Sequence, residues 1–562
     1  MNFITELFNA SARFQNRYAE QILNRFQFLP GPSERVALAS RWVEPRGLTA
    51  MLAAESRIAV TGALGMGKTT TLNYIAWSLA HTLRNQAEAR VPLFFSAGDL
   101  HAQALPRITD LPRELRLSQN LAVQCPRIFF PNVFQTGRAV VLIDDADALP
   151  PDVLTGWLRE FQNATVIVSA AMPLDGFAEF RLPGWHDGDI QTFADKWNAS
   201  NAAVFFAALK ASGVPRALSS NPMLLTILAQ IWQPEQPLPT RRAALLGQFA
   251  DQVLGDADET LKMLEGVALA VQRDKPASNE FLAKARGFMR AGKNRTAEFT
   301  HPLWQAYFAA RALREAPSLE SLREHWGDPA WREVILFYAG LGDAPELIDA
   351  LRSHGDVVLT GHALAQSFQA PPSTVTQDLV ERAWADDGSA IGALSEMQID
   401  SVVDAFAAKL KDKDPVTRAR AAKLLGQLQL DRGIEYLLPQ LRDVNADVRD
   451  QVVLSLGHSR TERVIEPLLV SLRGDPRVGT VDTRMRVAAA QALGEIASDK
   501  AAPALLVDLQ LGEPEVRAAA ADALKRVNST LILKPLQSIA TSGDASAQEY
   551  ARQILAVLNS RE

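Results

Sequence analysis

Cysteine is almost absent from this chain, since Cys125 is the only one among 562 residues. A disulfide within the chain is therefore impossible, which predicts a reducing, cytoplasmic location with Cys125 as a small buried hydrophobic residue. Long apolar runs are missing too, because stretches such as "MLLTILAQIW" fall far short of the roughly 20 residues that span a bilayer. The amino-terminal segment also lacks the basic start and continuous apolar core of a signal peptide. We therefore expect a soluble or at most peripheral protein without a transmembrane segment.

A strong charge of one sign is also missing. The sequence has 58 Lys and Arg against 64 Asp and Glu, a net charge of −6. From Ser401 to the end the counts are 22 and 21. This balance excludes a chain-wide electrostatic attraction to nucleic acid, although one face could still be biased. With 47% hydrophobic and 22% charged residues the composition is that of a globular protein. The length predicts three or more domains, because single cores stop growing at roughly 250–300 residues.

The first residues have an amphipathic pattern. Large apolar side chains recur at roughly helical spacing, which predicts a helix with one apolar face. These residues are Phe3, Leu7, Phe14, Tyr18, Ile22 and Phe26. Packing on the chain's own domain is the simpler interpretation of this face. A membrane-surface or oligomerising helix is the alternative.

Residues from about 55 to 185 alternate short apolar runs with helical patterns. The runs read as buried strands, because they are short and rich in β-branched or aromatic residues. They are "RIAV", "VPLFFSA", "AVVLIDD" and "ATVIVSA". Continuous apolar strands of this kind predict an α/β fold with a parallel sheet and helices on both faces. From "DGDIQTFADKWN" onward no strand pattern is convincing, and amphipathic helices are expected instead.

The stretch "TGALGMGKTTTL" follows the first of these strands and precedes a helical pattern. Its glycines allow a tight turn that brings backbone N–H groups against phosphate oxygens, aided by the positive end of the following helix. Lys68 would place its charge on the β- and γ-phosphates, and the Thr69 hydroxyl would ligate Mg²⁺. We therefore predict a P-loop for ATP or ADP. Its cofactor-binding residues are Gly62, Gly65, Gly67, Lys68, Thr69 and Thr70.

An acidic strand end follows about 75 residues later in "RAVVLIDDADALP". Asp144 ends the apolar run, so its carboxylate would reach the Mg²⁺ shell at the edge of the sheet where ligands collect in open α/β folds. Asp145 and Asp147 are further candidates for orienting an attacking water. We therefore predict Asp144, Asp145 and Asp147 as catalytic residues, and Thr69 with Asp144 as magnesium ligands. No histidine spacing indicates a transition-metal site.

The carboxyl-terminal part repeats a short apolar motif. "AAKLLG", "VVLSLG", "AAQALG", "AADALK" and "ARQILA" are spaced by 31, 37, 31 and 31 residues. Several repeats open with a turn and a Val-Arg or Thr-Arg pair, as in "DPVTR" and "EPEVR". Each unit reads as a helical hairpin that cannot bury its apolar face alone, so neighbours must stack into a solenoid. The units resemble HEAT-like repeats, and the pattern does not identify their ligand.

With the strand end "LIDDADAL" the sequence resembles the NACHT family, in which a second acidic residue follows three positions after the first. Further stretches are similar to the family's helical and winged-helix subdomains. They are "GDIQTFADKWN", "SNPMLLTILAQIWQ", "LPTRRAALLGQF", "FTHPLWQAYFAARAL" and "DPAWREVILFYAGL". The resemblance covers roughly residues 55 to 340. As a whole the chain is similar to a STAND-class signalling P-loop NTPase with a HEAT-like sensor.

The resemblance implies roles for two more residues. Pro222 would lie beside the adenine, and His301 would reach the β-phosphate of bound ADP from the winged-helix subdomain. From the residues alone, Pro222 reads as a helix-start proline and His301 as a capping or core histidine. The sequence also departs from the family: Ala171 stands where an arginine usually senses the γ-phosphate, and Ala306 replaces a glutamate. Asp145 occupies a place that is often glycine and could partly compensate as a base, but we expect slow hydrolysis.

These patterns predict six segments. They are an N-terminal helical segment (1–54), a NACHT core (55–185), a helical subdomain (186–255), a winged-helix-like subdomain (256–330), a helical connector (331–400) and a HEAT-like solenoid (401–562). Only about 55 residues precede the first strand, which we expect to be too few for a separate effector enzyme.

The resemblance implies a switch in which ADP holds a closed state. Sensing of a macromolecular trigger by the repeats would admit ATP and permit homo-oligomerisation. Proteins of this kind in prokaryotes are often implicated in defence against phage. Two alternatives stay open: a passive scaffold with a structural nucleotide, and a constitutive ATPase motor or loader with the repeats as substrate adaptor. The motor would need an arginine finger in trans, for which Arg127, Arg138 and Arg159 are available.

Overall fold

The structure is a computed structural model in which the chain forms two compact units. It describes residues 2–28, 37–45, 47–97, 125–291, 296–315, 319–474, 482–527 and 530–559, with the backbone alone at residues 2–10, 50, 530, 557 and 559. The unit named here the sheet unit comprises Met1–Gly184, Asn221–Met223 and Pro276–Trp304. The unit named the helical unit comprises Trp185–Ser220, Leu224–Lys275 and Gln305–Glu562. The finer boundaries between the six segments stay predictions.

A five-stranded parallel sheet forms the centre of the sheet unit, with strand order β2-β3-β4-β1-β5. Its strands are β1 Arg57–Thr61, β2 Val91–Ser96, β3 Ala139–Asp144, β4 Thr165–Ser169 and β5 Ala178–Arg181. The helices around it are α1 Asn2–Phe26, α2 Leu38–Arg41, α3 Leu48–Ala54, α4 Lys68–Asn85, α5 Phe129–Gln135 and α6 Pro151–Glu160. The parallel sheet and its four predicted strands are confirmed. The fifth strand was not predicted because it lies at the edge with only Phe180 buried, so it shows no continuous apolar run.

The apolar face of helix α1 packs against the core of the sheet unit. Phe14, Tyr18, Ile22 and Phe26 are buried in the core that also contains the central strands. The Tyr18 hydroxyl donates a hydrogen bond to the carbonyl oxygen of Pro92 at 2.6 Å. The other two side chains of the predicted apolar face lie outside the described residues. The described part of the face therefore packs on the chain's own domain, which is the simpler of the two interpretations of this helix.

A small antiparallel sheet also belongs to the sheet unit, with order β6-β8-β7. Its strands are β6 Ala277–Ser278, β7 Met289–Ala291 and β8 Thr296–Phe299. The expectation that only helices follow "DGDIQTFADKWN" is therefore wrong. Strands of two to four residues are too short to show a readable alternation. In the pairing of β7 with β8, Met289 lies opposite Phe299 with both side chains buried, and Arg290 lies opposite Glu298.

Helices make up the helical unit up to residue 400, and the first residues of α10 and α13 belong to the sheet unit. They are α7 Asp187–Trp197, α8 Ala202–Ala211, α9 Arg216–Ser219, α10 Pro222–Ile231, α11 Arg242–Leu254, α12 Asp258–Gln272, α13 Pro302–Glu315, α14 Leu319–Arg323, α15 Arg332–Gly340, α16 Pro345–His354, α17 Val357–Gln366, α18 Ser373–Trp384 and α19 Gly388–Met397. None of the helices described in either unit is long and apolar enough to cross a membrane.

The predicted solenoid is present at the end of the helical unit. Its helices are α20 Asp400–Lys409, α21 Pro415–Leu428, α22 Asp431–Leu437, α23 Ala446–His458, α24 Ile465–Arg473, α25 Thr483–Ile496, α26 Ala502–Leu511, α27 Pro514–Arg526, α28 Leu533–Ser542 and α29 Ala545–Asn559. The second helices of successive hairpins, from α21 to α29, pack against one another. Short 3₁₀ turns are Ala146–Ala148, Asn279–Phe281, Pro329–Trp331, Leu438–Arg442, Glu462–Val464, Asp499–Ala501 and Thr530–Ile532.

The glycines that end three of the repeated motifs mark a close approach between neighbouring helices. A Cβ atom on Gly457 would lie 2.8 Å from both Cα and Cβ of Ala492 in the next repeat. Such a distance would force the backbone to move, so only glycine fits without strain. The corresponding pairs are Gly426 with Ser455, Gly457 with Ala492, and Gly494 with Ala523. The repeated glycine is therefore a packing residue of the solenoid.

The arginines near the start of the repeated helices have a structural role as well. Arg418 donates two hydrogen bonds to the Asp443 carboxylate, at 2.7 and 2.8 Å, which is the bidentate arrangement that gives an arginine pair its strength. The equivalent arginines pair with an acidic residue of the following turn or helix. These pairs are Arg449 with Asp482, Arg486 with Asp508, and Arg517 with Asp544. These four arginines thus connect one repeat to the next.

Candidate functional site

The glycine-rich loop connects the end of β1 to the start of α4. Gly62, Gly65 and Gly67 have φ angles of 149°, 80° and 89°, which side chains with a Cβ rarely adopt. Helix α4 begins at Lys68, directly after the last of these glycines. A sharply turned loop that ends at a helix N-terminus presents backbone N–H groups and the positive end of the helix dipole. This arrangement is suited to binding an anion.

Lys68 lies over this loop. Its ammonium group donates hydrogen bonds to the carbonyl oxygens of Gly62 at 2.7 Å and Ala63 at 3.3 Å. Burial lowers the pKa of Lys68, and the nearby carboxylates of Asp145, Asp147 and Asp144 oppose that shift. The amine is therefore in the electrostatic field of all three acidic residues that the sequence predicts as catalytic.

Asp144, at the carboxyl end of β3, meets the residue predicted to share a magnesium ion with it. The Thr69 hydroxyl donates to Asp144 Oδ1 at 3.1 Å, and the Ser169 hydroxyl donates to the same oxygen at 2.6 Å. Burial and the neighbouring Asp145 carboxylate raise the pKa of Asp144 to about 6, against the two hydrogen bonds, which lower it. Ser169 was not predicted. It ends the strand next to β3, so the parallel order of the strands was the signal that placed it at this edge.

The ligand atoms at this site suit Mg²⁺ bound together with phosphate better than a metal ion held by protein ligands alone. A hydroxyl and a carboxylate are hard oxygen donors, and Mg²⁺ is commonly held by one or two such groups together with phosphates and water. Within the described ranges no three His, Cys, Asp or Glu side chains come together in a way that could hold a metal ion. Thr69 and Asp144 would therefore need oxygen ligands from a bound phosphate to complete the shell.

Asp145 and Asp147 differ in how they are held. Asp145 has a left-handed backbone with φ of 56°, and its N–H donates to the Ser169 hydroxyl oxygen at 2.8 Å. Desolvation and the Asp147 carboxylate raise the pKa of Asp145, against the charges of Lys68 and Arg290. Asp147 Oδ2 accepts a hydrogen bond from the N–H of Ala171 at 2.9 Å. Asp147 is thus tied to the backbone of Ala171, and both Asp145 and Asp147 are exposed residues.

The segment around Pro222 lies against the glycine-rich loop. The Asn221 amide donates to the carbonyl oxygen of Leu64 at 2.9 Å, and the N–H of Met223 donates to the carbonyl oxygen of Gly65 at 3.1 Å. A Cβ on Gly65 would lie 2.7 Å from the Asn221 side-chain oxygen. Pro222 itself is the first residue of α10, which agrees with its interpretation as a helix-start proline. The sequence contained Asn221 in "SNP" but offered no physical reason to select it.

His301 follows β8 and precedes α13. Its Nδ1 accepts the N–H of Leu303 at 3.1 Å, so the side chain caps the helix, as one interpretation of the sequence predicted. Burial and the positive charge of Lys68 lower the pKa of His301 from 6.5 to about 4. The imidazole is therefore neutral at pH 7. Because Nδ1 is an acceptor, the hydrogen lies on Nε2, which leaves one N–H donor on a ring close enough to Lys68 to be affected by its charge.

Arg290 on β7 is a charged residue near the acidic group that was not predicted. Its guanidinium lowers the pKa of both Asp144 and Asp145. The side chain is 55% exposed and lies 3.5 Å from a Glu298 oxygen across the β7–β8 pair. In the sequence it was one of several basic residues in "FMRAGKNR", with nothing to distinguish it. It therefore supplies a positive charge that acts on two of the three acidic residues.

Other residues considered in the sequence have simpler surroundings. Arg138 donates hydrogen bonds to Ala89 and Gln15 in its own unit, so it is already engaged. Arg127 and Arg159 are exposed. Cys125 is half-buried against the core of the sheet unit, less than the full burial expected.

Comparison with known proteins bears on the solenoid. Residues 403–480 match the HEAT repeats family, and residues 485–507 match the PBS lyase HEAT-like repeat. The HEAT-like repeats predicted for residues 401–562 are confirmed over 403–507. Neither match reaches the sheet unit. No curated protein matches the chain.

Two solved structures are similar to parts of this chain, at low sequence identity. An engineered protein is 23% identical, covers 38% of this chain and 96% of its own, and has a TM-score of 0.24. Human deoxyhypusine hydroxylase in complex with glycerol is 16% identical, covers 43% of this chain and 99% of its own, and has a TM-score of 0.17. Both scores are too low to support an argument about function.

Protonation of His301 should be visible in the pH dependence of stability. In the unfolded chain His301 takes up a proton near the usual histidine pKa of 6.5, whereas in the folded chain its pKa is about 4. Since the unfolded state then binds more protons, His301 should reduce the free energy of unfolding as the pH falls from about 7 toward 4. Urea midpoints at pH 7, 6 and 5 should therefore fall more steeply for the wild type than for His301→Asn. The raised pKa of Asp144 changes the free energy of unfolding with pH in the opposite direction. Asp144 is present in both proteins, so its contribution cancels in the comparison. Parallel slopes would show that His301 titrates normally.

Proposed function

We propose that this chain is a nucleotide-dependent switch in signal transduction, a NACHT-type (STAND-class) P-loop NTPase with a HEAT-repeat sensor. In this proposal ADP holds a closed state, and ATP binding after sensing by the repeats permits homo-oligomerisation. One observation carries the proposal. Lys68, the Thr69–Asp144 pair and His301 come from distant parts of the sequence and belong to one compact unit, in which burial and, after it, the charge of Lys68 lower the pKa of His301.

The residues of this unit divide the work of holding a diphosphate. The glycine-rich loop and the N-terminus of α4 would receive phosphate oxygens, and Lys68 would exchange its two carbonyl partners for them. Thr69 and Asp144 would hold Mg²⁺, which when bound supplies positive charge to neutralise the phosphates. The Nε2–H of His301 would donate to a β-phosphate oxygen. Asn221 and Met223 would keep Pro222 against the loop beside the adenine.

Slow hydrolysis is the expectation that favours a switch over a motor. Ala171 has no charge for the γ-phosphate, and its N–H holds Asp147 in a hydrogen bond. Of the three arginines considered as fingers in trans, Arg138 is engaged within its own unit. Asp145, whose carboxylate takes no part in this hydrogen bond, is left to orient a water. A site of this composition is suited to retaining a nucleotide for long periods.

The free energy of nucleotide binding is too small to switch the protein without a second ligand. A nucleotide present at 1,000 times its Kd stabilises the state that binds it by about 4 kcal/mol. Moving a population from 99:1 to 1:99 requires roughly 5.5 kcal/mol of differential binding. Exchange of ADP for ATP therefore needs help from a second ligand. HEAT repeats commonly mediate protein interactions, so the solenoid is the place we propose for that ligand.

The nucleotide that co-purifies with the protein tests this proposal. The chain is denatured, and the released nucleotide is identified and quantified by chromatography. We expect ADP at close to one per chain, together with ATP turnover far below about 1 s⁻¹. An empty site with rapid turnover would instead support the constitutive motor.

Arg290 should contribute more to the binding of ATP than to the binding of ADP. If its guanidinium approaches the third phosphate, Arg290→Ala should weaken ATP binding about five- to tenfold, the range of a charged hydrogen bond that is partly exposed, and should change ADP binding less than about twofold. Arg57→Ala is the matched control, because Arg57 is exposed at the opposite end of β1 from the loop. Titration with fluorescent nucleotide analogues measures both constants. Equal losses for ATP and ADP would show that Arg290 does not distinguish them.

A further inference from the structure

A groove runs across three repeats of the solenoid, between helices α23, α25 and α27. It is open to solvent and has a volume of about 400 Å³, and Leu454, Val487 and Ala488 contribute its apolar lining. Asp450, Arg484 and Glu515 also line it. A volume of this size falls within the range of protein pockets that bind ligands. We call it the α25 groove, after its central helix.

Asp450 is a largely buried charge in the α25 groove. Its side chain is 14% exposed, and one carboxylate oxygen lies 3.0 Å from the Arg484 guanidinium. The other oxygen is buried and has no hydrogen-bond partner among the residues that the structure describes. Arg484 is shared, because it also pairs with Asp447 at 2.9 Å. Burial raises the pKa of Asp450, and Arg484 only partly opposes this. A carboxylate held in this way would be stabilised by another cation nearby.

The face at the α25 groove has more acidic than basic side chains in its lining, Asp450 and Glu515 against Arg484, although the repeats as a whole are balanced. Glu515 is exposed and has no ion pair within the described part of the chain. Arg484, the one basic residue of this lining, is already paired with Asp447 and Asp450. The face therefore attracts positive charge.

We propose that the α25 groove binds an extended segment of a partner protein in which a lysine or arginine lies beside an apolar side chain. The basic group would approach Asp450 and Glu515, and the apolar side chain would cover Leu454 and Val487. Nucleic acid and acidic peptides are disfavoured, because both would bring negative charge to a negative face. Peptide binding does not itself require nucleotide. Its effect on the nucleotide state rests on the proposed function.

The test uses a library of random ten-residue peptides displayed on phage and selected against the full-length chain. Enriched sequences are synthesised with a fluorescein label and measured by anisotropy. We expect them to pair Lys or Arg with a neighbouring apolar residue and to bind more weakly as salt increases. The affinity should fall about tenfold or more in the double variant Asp450→Asn/Glu515→Gln, and again in Val487→Lys.

A matched control removes the same two charges elsewhere on the repeats. Glu466 and Asp499 are exposed and lie outside the α25 groove, so Glu466→Gln/Asp499→Asn should change the affinity less than about twofold. The proposal is overturned by a selection that enriches nothing, by enriched peptides without basic residues, or by peptides that bind the groove variants as well as the control. It is also overturned if sedimentation shows that Val487→Lys converts a dimer of this chain into monomers.

The same peptides separate this inference from the proposed function. Binding that persists in Lys68→Ala, with no nucleotide bound to either protein, would support the groove while the switch fails. Faster release of ADP in the presence of peptide would support both.

Discussion

Lys68→Ala is expected to weaken the binding of ADP and ATP about 100-fold. The ammonium lies over the glycine-rich loop, where it donates hydrogen bonds to two loop carbonyls. Three carboxylates attract it electrostatically. Its removal deletes charged hydrogen bonds to phosphate, each worth about 1.5–3 kcal/mol, and leaves the acidic group to repel the nucleotide. Isothermal titration of protein stripped of nucleotide measures the change directly.

Lys284→Ala is the control for this result. Lys284 is an exposed lysine of the sheet unit, so its removal changes the net charge by the same amount at a site without loop contacts. It should bind both nucleotides within about twofold of the wild type. A Lys68→Ala protein that binds like this control would mean that the loop does not hold phosphate.

Gly457→Ala and Gly266→Ala are expected to change stability in opposite directions. At Gly457 the new Cβ would lie 2.8 Å from the backbone of Ala492, so two repeats must separate, which costs about 1–3 kcal/mol. Gly266 lies in α12, and apart from its own stretch of helix no atom of the described residues lies within 4 Å of the position of a new Cβ. There the better helix propensity of alanine should contribute about 0.5–1 kcal/mol.

Hydrogen exchange measured by mass spectrometry can follow both changes locally, which avoids assuming two-state unfolding for a chain with two compact units. Amides of α23 and α25 should exchange faster in Gly457→Ala, and those of α12 more slowly in Gly266→Ala. If both substitutions were stabilising, the glycine would not mark a close contact between repeats.

Short continuous apolar runs were enough to predict four of the five strands of the parallel sheet. The four buried strands have continuous apolar runs, and the glycines before Lys68 have a pattern that few other structures require. Strand β5 and the three short strands around Arg290 were missed for a common reason. Each is short or half-exposed, and its place depends on its neighbours rather than on its own periodicity.

The missed site residues show the same limit. Ser169 and Asn221 contact the site through hydrogen bonds that depend on the folded arrangement of distant segments. Arg290 acts over a distance through its charge, which no local pattern shows. The acidic face of the α25 groove was hidden because equal numbers of positive and negative residues in the repeats say nothing about how they are distributed among faces.

The release of ADP from His301→Ala tests the central claim, that a diphosphate is held between the loop of Lys68 and the imidazole of His301. Stopped-flow fluorescence with a labelled ADP gives the dissociation rate for the wild type, for His301→Ala and for His81→Ala, whose exposed histidine lies further along α4. We predict release about tenfold faster for His301→Ala, corresponding to one lost hydrogen bond to phosphate, and an unchanged rate for His81→Ala. Equal rates for all three proteins would contradict the account, because ADP would then be bound without His301.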